Sequence, residues 1–543
     1  MLKGGLLQSQ LTMYKVETPG ALGEFVRKRP WAARFEAIKT KERFFNWELE
    51  FPELAFQERG GFDVVLGNPP WEKVLPDRYE FYGTHDLLLR ALEGGELDQR
   101  IRELDKQNPG LEAEYIAYRD RINLIADVLK QDGNFEYGDW KLNGKTTGGH
   151  QDLFKFFVER AWQVLKPAGK AGLVLPSAVY NNEGCTGIRH LLLENSRIER
   201  FYGFENRRKI FPIDSRFKFI SLTFSKQQPD PNGFPAAFMR HDLEELKSDD
   251  AQDWTVWVKK PELEFLSPGT LTFMEFRTVH DQKVLEKMHF ERKSLGSKDS
   301  GWGFKFRSEY NMTNDKDLWT TSAGKLINVK HVLGKESLDM DRARERMAKK
   351  GFWPLYEGKQ IEQFVIDLKP IERWVDIEKA EKSKRMPNPD AKVVFRDIAS
   401  NTNERTCIAA VLPAGSCFGH TLSGIEADVS ADTVTALFNS LAFDFAVRLR
   451  TAGTHLSFTY LSRLPLPTSK PTVKIKTRSV NGSGEHILDD EKLWPKLVDL
   501  YTEVGESYGL NNRDLLICLE SFRVQSEKRP EFITYLKDRL KQN

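Results

Sequence analysis

Residues 152–176 constrain the fold more than any other stretch of this sequence. Asp152-Leu153-Phe154-Lys155-Phe156-Phe157-Val158-Glu159-Arg160-Ala161-Trp162-Gln163-Val164-Leu165 reads as an amphipathic helix, with Leu153, Phe156, Phe157, Arg160 and Val164 near helical spacing. Lys166-Pro167-Ala168-Gly169 ends it, and the apolar run Ala171–Pro176 follows as a buried strand. A helix is expected from Thr186 to Glu194, and strands near Ile198–Phe204 and Phe217–Phe224. An earlier strand, Phe62–Leu66, stops abruptly at Gly67-Asn68-Pro69-Pro70. Strands and helices in alternation predict an α/β fold with a parallel sheet.

With 543 residues the chain has room for two to four domains, and 40% hydrophobic residues are enough for sizeable cores. A net charge of +2 does not by itself announce a nucleic-acid binder, so any basic surface has to come from local clustering. The four cysteines, Cys185, Cys407, Cys417 and Cys518, are scattered without metal-ligand spacing, which points to a reducing cytoplasm. No apolar run is long enough for a membrane helix, and Met1-Leu2-Lys3-Gly4-Gly5 does not open a signal peptide. No membrane partner is therefore expected.

The chemistry-bearing segment is Gly61-Phe62-Asp63-Val64-Val65-Leu66-Gly67-Asn68-Pro69-Pro70-Trp71. A strand delivers a rigid loop with an aromatic at its end. The arrangement suits transfer to an exocyclic amine, whose lone pair is delocalised into its ring. Two acceptors aimed at the two amine hydrogens, the Asn68 side-chain oxygen and the Pro69 carbonyl, localise that lone pair. Proline fixes φ, so the carbonyl is held in place before a substrate arrives. Trp71 is placed to stack on the base.

Phe62–Trp71 resembles the fourth motif of the adenine-specific amino-methyltransferases. Asn46–Glu53, Phe204–Pro212, Pro354–Lys359, Phe395–Ala399 and Leu461–Pro467 resemble segments of the large methylases of type IIG restriction-modification and related phage-defence systems. The resemblance implies S-adenosylmethionine as methyl donor and the N6 amino group of an adenine flipped out of double-stranded DNA as acceptor. It implies a Rossmann-like methyltransferase sheet, a mixed α/β target-recognition domain and a helical C-terminal segment. The expected boundaries are a lead-in at 1–55, the catalytic domain at 56–235, a connection at 236–290, target recognition at 291–470 and the helical segment at 471–543. Asn68, Pro69, Pro70 and Trp71 are then the catalytic loop. Phe211 matches the aromatic that packs on the base opposite Trp71, or else is a core residue. Asp152 matches a position near the cofactor, or else is a first-turn helix acid. Asp63 either contacts the cofactor adenine or caps a strand end.

The Gly-rich turn that brings the backbone close to such a cofactor is missing from the pattern. Gly20-Ala21-Leu22-Gly23 is the nearest candidate, and no apolar run precedes it. The catalytic domain is accordingly expected to be partial, completed by an upstream methylase half or by restriction or defence subunits. The alternative is a DNA-recognition subunit without catalysis. In the second half, Arg342, Arg344, Arg346, Lys349 and Lys350, and then Arg373, Lys382, Lys384, Arg385 and Lys392, form basic stretches that contact phosphates or are solvated helix faces. Thr451–Leu456 is a Gly-containing loop that either approaches the duplex or is an ordinary loop.

Overall fold

The computed structural model describes residues 27–42, 45, 50–51, 60–92, 94–131, 135–142, 144–146, 151–215, 217–247, 255–321, 339–399, 403–451, 456 and 458–542. The segments Asn46–Leu49, Gly20–Gly23 and Gly148-Gly149, and residues 452–455 of the Thr451–Leu456 loop, lie outside them. The chain forms two compact units, one reaching residue 248 and including 257–273, the other taking in 274–543. The composition shifts earlier, at the turn-rich stretch 227–233.

The first unit is built on a six-stranded sheet. Its strands are β1 (Phe62–Gly67), β2 (Leu165–Pro176), β3 (Arg197–Glu205), β4 (Lys218–Ser225), β5 (Phe234–Arg240) and β6 (Val256–Val258), in the order β1-β2-β4-β3-β5-β6. β1 pairs parallel with β2, and β3 parallel with β5. β4 runs antiparallel to both β2 and β3. The sheet is therefore mixed where alternation predicted a parallel one: among the described residues only the single 3-10 turn Asn206–Arg208, and no α-helix, lies between β3 and β4, so the chain returns as an antiparallel connection. Lys166–Gly169 does end the preceding helix, but it belongs to β2. The register slips there, Phe62 facing Leu165 and Val64 facing Lys170, with Ala168 at φ 63°.

The helices of this unit include α1 (Ala32–Glu42), α2 (Arg78–Gly83), α3 (Gly94–Gln107), α4 (Leu111–Leu129), α5 (Leu153–Val164), α6 (Thr186–Glu194) and α7 (Lys260–Leu266). The apolar face of α5 is rotated from the expected one. Phe154, Phe156, Val158 and Ala161 are buried and Phe157 is exposed. The reason is Glu159, which turns inward because its carboxylate accepts from the backbone N–H of Glu136, Tyr137 and Gly138 at 2.7, 3.0 and 2.7 Å. Burial raises the Glu159 pKa despite those bonds. In α6, the buried Arg189 donates to the carbonyls of Thr270, Val179 and Asn182 at 2.7–2.9 Å, tying residue 270 back to the sheet's helices.

The second unit is mixed α/β with a helical end. Besides a small sheet of three two-residue strands (Ile361–Glu362, Val365–Ile366 and Arg478–Ser479), its strands are β7 (Lys305–Arg307), β8 (Trp319–Thr320), β9 (Phe352–Tyr356), β10 (Arg373–Asp376), β11 (Lys392–Arg396), β12 (Ala409–Leu412), β13 (Cys417–Phe418) and β14 (Leu422–Glu426). They form one sheet ordered β8-β10-β9-β13 and another ordered β12-β11-β14-β7. The helices that concern us are α8 (Val279–His289), α9 (Met340–Ala348), α10 (Ala431–Asn439), α11 (Leu441–Arg450), α12 (Trp494–Ser507), α13 (Asn512–Glu520) and α14 (Pro530–Gln542). Helices α12–α14 occupy the C-terminal stretch where helix was expected.

Candidate functional site

The loop Asn68-Pro69-Pro70-Trp71 leaves the carboxyl end of β1, where Gly67 faces Leu173 of β2. At the other end of the strand, Gly61 has φ +139° and sits against the backbone of Val164–Lys166, so only glycine fits that approach. Asn68 is exposed, Pro69 is buried, and Pro70 and Trp71 are half-buried. The Trp71 indole N–H is out of solvent and has no hydrogen-bond partner among the described residues.

The chain leaving the loop is pinned to the start of α5. Leu153 N–H donates to the Glu72 carbonyl at 2.9 Å, Val74 N–H donates to the Gln151 carbonyl at 2.7 Å, and Lys73 bridges Asp152 antiparallel. The loop is thus fixed by β1 on one side and by the α5 N-terminus on the other. The same bridge places Asp152 next to the loop's exit, a neighbourhood that the sequence alone does not reveal.

Because β1, β2 and β3 run in one direction, their carboxyl ends open on one edge of the sheet, where open α/β sheets hold ligands. The β3 exit is the Phe211 loop. Phe211 is half-buried and meets Phe219 edge-on, ring centroids 4.9 Å apart, while Phe219 stacks on Phe204 at 5.2 Å. Asn206 fastens this loop. Its Nδ2 donates to the carbonyls of Phe211 and Ile213 at 2.9 and 3.1 Å, and its Oδ1 accepts from Phe211 N–H at 3.0 Å. Beside it the buried Glu205 carboxylate meets His241 Nε2 at 2.8 Å, Arg207 at 2.9 Å and Lys218 at 3.8 Å. Burial opposes its charge, yet the His241 hydrogen bond and the two cations outweigh burial and hold it below the usual carboxylate range. Asn206, Glu205 and Lys218 were not singled out from sequence. Asn206 falls inside the quoted Phe204–Pro212 segment, but nothing local marks its amide as the clasp.

Asp63 stands near the start of β1, roughly 16 Å of strand from Asn68 at about 3.3 Å per residue, and pairs with Lys166. The residues placed at the sheet edge are Asn68–Trp71, Asp152 and Phe211; Asp63 is not among them. No strand pairs with the outer edge of β1 among the described residues, and Val64 and Leu66 are 55% and 78% exposed. A parallel strand is ordinarily covered on both faces. The described residues bring the Asn68 and Phe211 loops to one edge of the sheet and hold no Gly-rich turn after a strand, the feature expected to cradle a nucleoside cofactor.

The basic stretches of the second unit are largely neutralised. Arg344 points inward from α9, donating to Asp367 Oδ2 and the Tyr356 hydroxyl at 2.8 Å each. Arg373 pairs with Glu357, Lys382 with Glu378, Arg385 with Asp315 and Lys392 with Glu309. Their crowding in sequence therefore overstates the cationic surface.

Residues 17–85 and 128–211 match the family of the Eco57I restriction-modification methylase. The strand β1, the Asn68 loop, α5 and the Phe211 loop as far as Phe211 fall within the matched residues, so this part of the chain is similar to restriction-modification methylases. No curated protein matches the chain. Among solved structures it is similar to MmeI, a type IIL restriction-modification enzyme in complex with DNA, at 9% identity over 69% of this chain and 52% of that one, with TM-score 0.40. It is similar to the type IIG restriction endonuclease BpuSI at 10% identity over 76% and 52% of the two chains, TM-score 0.29. It is also similar to the DrdV–DNA complex at 12% identity over 76% and 43%, TM-score 0.35. The chain spans about half the length of the solved enzymes it matches. No described helix is long and apolar enough to cross a membrane.

Proposed function

We propose that this chain carries the substrate-side half of a site-specific DNA methyltransferase that methylates the N6 amino group of a flipped adenine. The observation that carries the reading is the shared sheet edge: the Asn68–Trp71 loop, pinned at both ends, and the Phe211 loop leave parallel strands on the same side. Asn68 Oδ1 and the Pro69 carbonyl accept the two amino hydrogens and raise the nucleophilicity of the nitrogen. Trp71 and Phe211 hold the base between aromatic faces, where stacking contributes roughly 1–3 kcal/mol per base. The methyl donor is S-adenosylmethionine, which supplies an activated methyl group. Double-stranded DNA is the partner, and the setting is restriction-modification or phage defence. The similarity of residues 17–85 and 128–211 to restriction-modification methylases supports this reading.

The outer edge of β1, which no described strand pairs, favours a second reading. The exposed Val64 and Leu66 fit a sheet continued by a separate cofactor-binding half, with this chain as a recognition subunit or fragment that needs it. One pair of measurements tests both. S-adenosylmethionine binding is titrated calorimetrically into the purified chain, and methyl transfer to adenine is followed with wild type and Asn68→Ala. Binding together with transfer that Asn68→Ala abolishes supports an enzyme complete in itself. No binding supports the second reading. Transfer unchanged in Asn68→Ala refutes the catalytic role of the loop.

A further inference from the structure

A cavity of about 310 Å³ lies in the second unit, lined by residues 307–310 after β7, residues 384–388 and Glu426 of β14. Its walls are fixed. The Glu309 carboxylate accepts from Lys392 Nζ at 2.5 Å and from Phe418 N–H at 3.0 Å. Lys392 also holds the Asn388 carbonyl at 2.6 Å, and the Tyr310 hydroxyl holds the Arg385 carbonyl at 2.8 Å. The 384–388 wall is thus held from both sides, and it presents Lys384, which has φ 54°.

At the rim stands a cross-strand pair. Arg307 Nε donates to Glu426 Oε1 at 2.9 Å and Nη2 to Oε2 at 2.8 Å, with both side chains about half exposed. Glu426 therefore grips one edge of the guanidinium and orients it. The other edge, with both N–H of Nη1 and the second N–H of Nη2, has no partner among the described residues. Two parallel donors on a fixed plane match two adjacent acceptors. DNA offers such acceptors in two places, a phosphate and the O6/N7 edge of guanine. Glu426 decides between them. A carboxylate bonded to the arginine cancels its net charge and repels a phosphate, whereas a base edge presents dipoles only. Glu426 also keeps acceptor capacity beside Nη2. A G·C pair displays N7, O6 and then the cytosine N4 amine in its major groove: acceptor, acceptor, donor. Arg307 and Glu426 together display donor, donor, acceptor. Lys384, which has no ion-pair partner among the described residues, is the group suited to a flanking phosphate, whereas Lys305 faces Glu426 across the strands.

We infer that Arg307, oriented by Glu426, reads the guanine of one G·C pair in the DNA target. This deepens the methyltransferase reading above and rests on it. The test is selection of randomised duplexes on the purified full chain, comparing wild type, Arg307→Gln, Glu426→Gln and Lys384→Ala. Wild type is expected to enrich a sequence containing a G at one position. Arg307→Gln is expected to lower the preference for that G at least about fivefold and leave the other positions intact. Glu426→Gln, which keeps the shape of the pair, is expected to weaken the same position alone, and Lys384→Ala is expected to lower binding evenly across sequences. An even loss in Arg307→Gln identifies a phosphate contact and overturns the assignment, as does an unchanged preference. Wild-type binding with no sequence preference overturns the assignment while leaving DNA binding standing. No DNA binding by the wild-type chain overturns the broader reading as well.

Discussion

The side chain of Asn206 holds Phe211 by both backbone groups, accepting its N–H at 3.0 Å and donating to its carbonyl at 2.9 Å. The five-residue reach turns the exit of β3 into a closed loop and fixes the aromatic ring against Phe219. Asn206 is fully buried, so its amide makes these bonds out of reach of water.

Asn206→Ala is therefore expected to destabilise the first unit by about 1–3 kcal/mol, because the Phe211 N–H loses its acceptor and the Phe211 and Ile213 carbonyls lose a donor. The same change is expected to weaken retention of a fluorescent adenine analogue placed at the target base. Chemical unfolding and analogue fluorescence read the two effects separately. An unchanged unfolding midpoint would show that the clasp is dispensable.

Gly61 precedes β1 at φ +139°, and a Cβ there would lie 2.5 Å from the Val164 carbonyl oxygen. Gly61→Ala is expected to disturb the pairing of β1 with β2 and cost more than about 1 kcal/mol. Limited proteolysis near residues 60–75 is the direct check. Wild-type resistance in the variant would mean that the β1–β2 junction yields without loss.

In the second unit, Arg405 and Asp444 form a fully buried pair at 2.5 Å. Asp444 also accepts from Cys407 N–H at 2.9 Å, and Arg405 donates to the Asn439 and Ser440 carbonyls at 3.0 Å. Removing one partner leaves a buried charge, so Asp444→Ala is expected to cost about 3–5 kcal/mol. Replacing both residues with apolar side chains is expected to cost less than the sum of the single changes. Additive losses in that cycle would rule out direct coupling.

His289, at the end of α8, has its pKa pushed down to about 3, chiefly by burial and secondarily by the charge of Arg450. An unfolded histidine titrates near 6.5. Between these values the unfolded chain binds a proton that the folded chain does not, so folding stability falls as pH falls from about 6.5 toward 3. The full contribution is present above about pH 6.5, and the slope in the window is about 1.4 kcal/mol per pH unit. His289→Leu is expected to flatten the acid limb of the unfolding profile by about one proton. A variant with the wild-type slope would place the acid sensitivity at another group.

Much of the organisation was legible in the sequence because it is local. Proline and glycine after Phe62–Leu66 ended a strand and set up a stiff loop, since those residues restrict or free φ without outside help. Apolar period and breakers likewise located the helix at Thr186–Glu194, the four strands, and the helical last stretch. Tertiary structure alone decided what depends on neighbours. The antiparallel direction of β4 follows from the absence of a crossover helix after β3. The buried face of α5 follows from Glu159 serving three backbone N–H groups of residues 136–138. The inward turn of Arg344 follows from Asp367, and the proximity of Asp152 to the Asn68 loop follows from a backbone bridge across nearly eighty residues. A residue's own pattern sets which conformations it favours, whereas burial, charge pairing and strand direction are properties of the partner it meets.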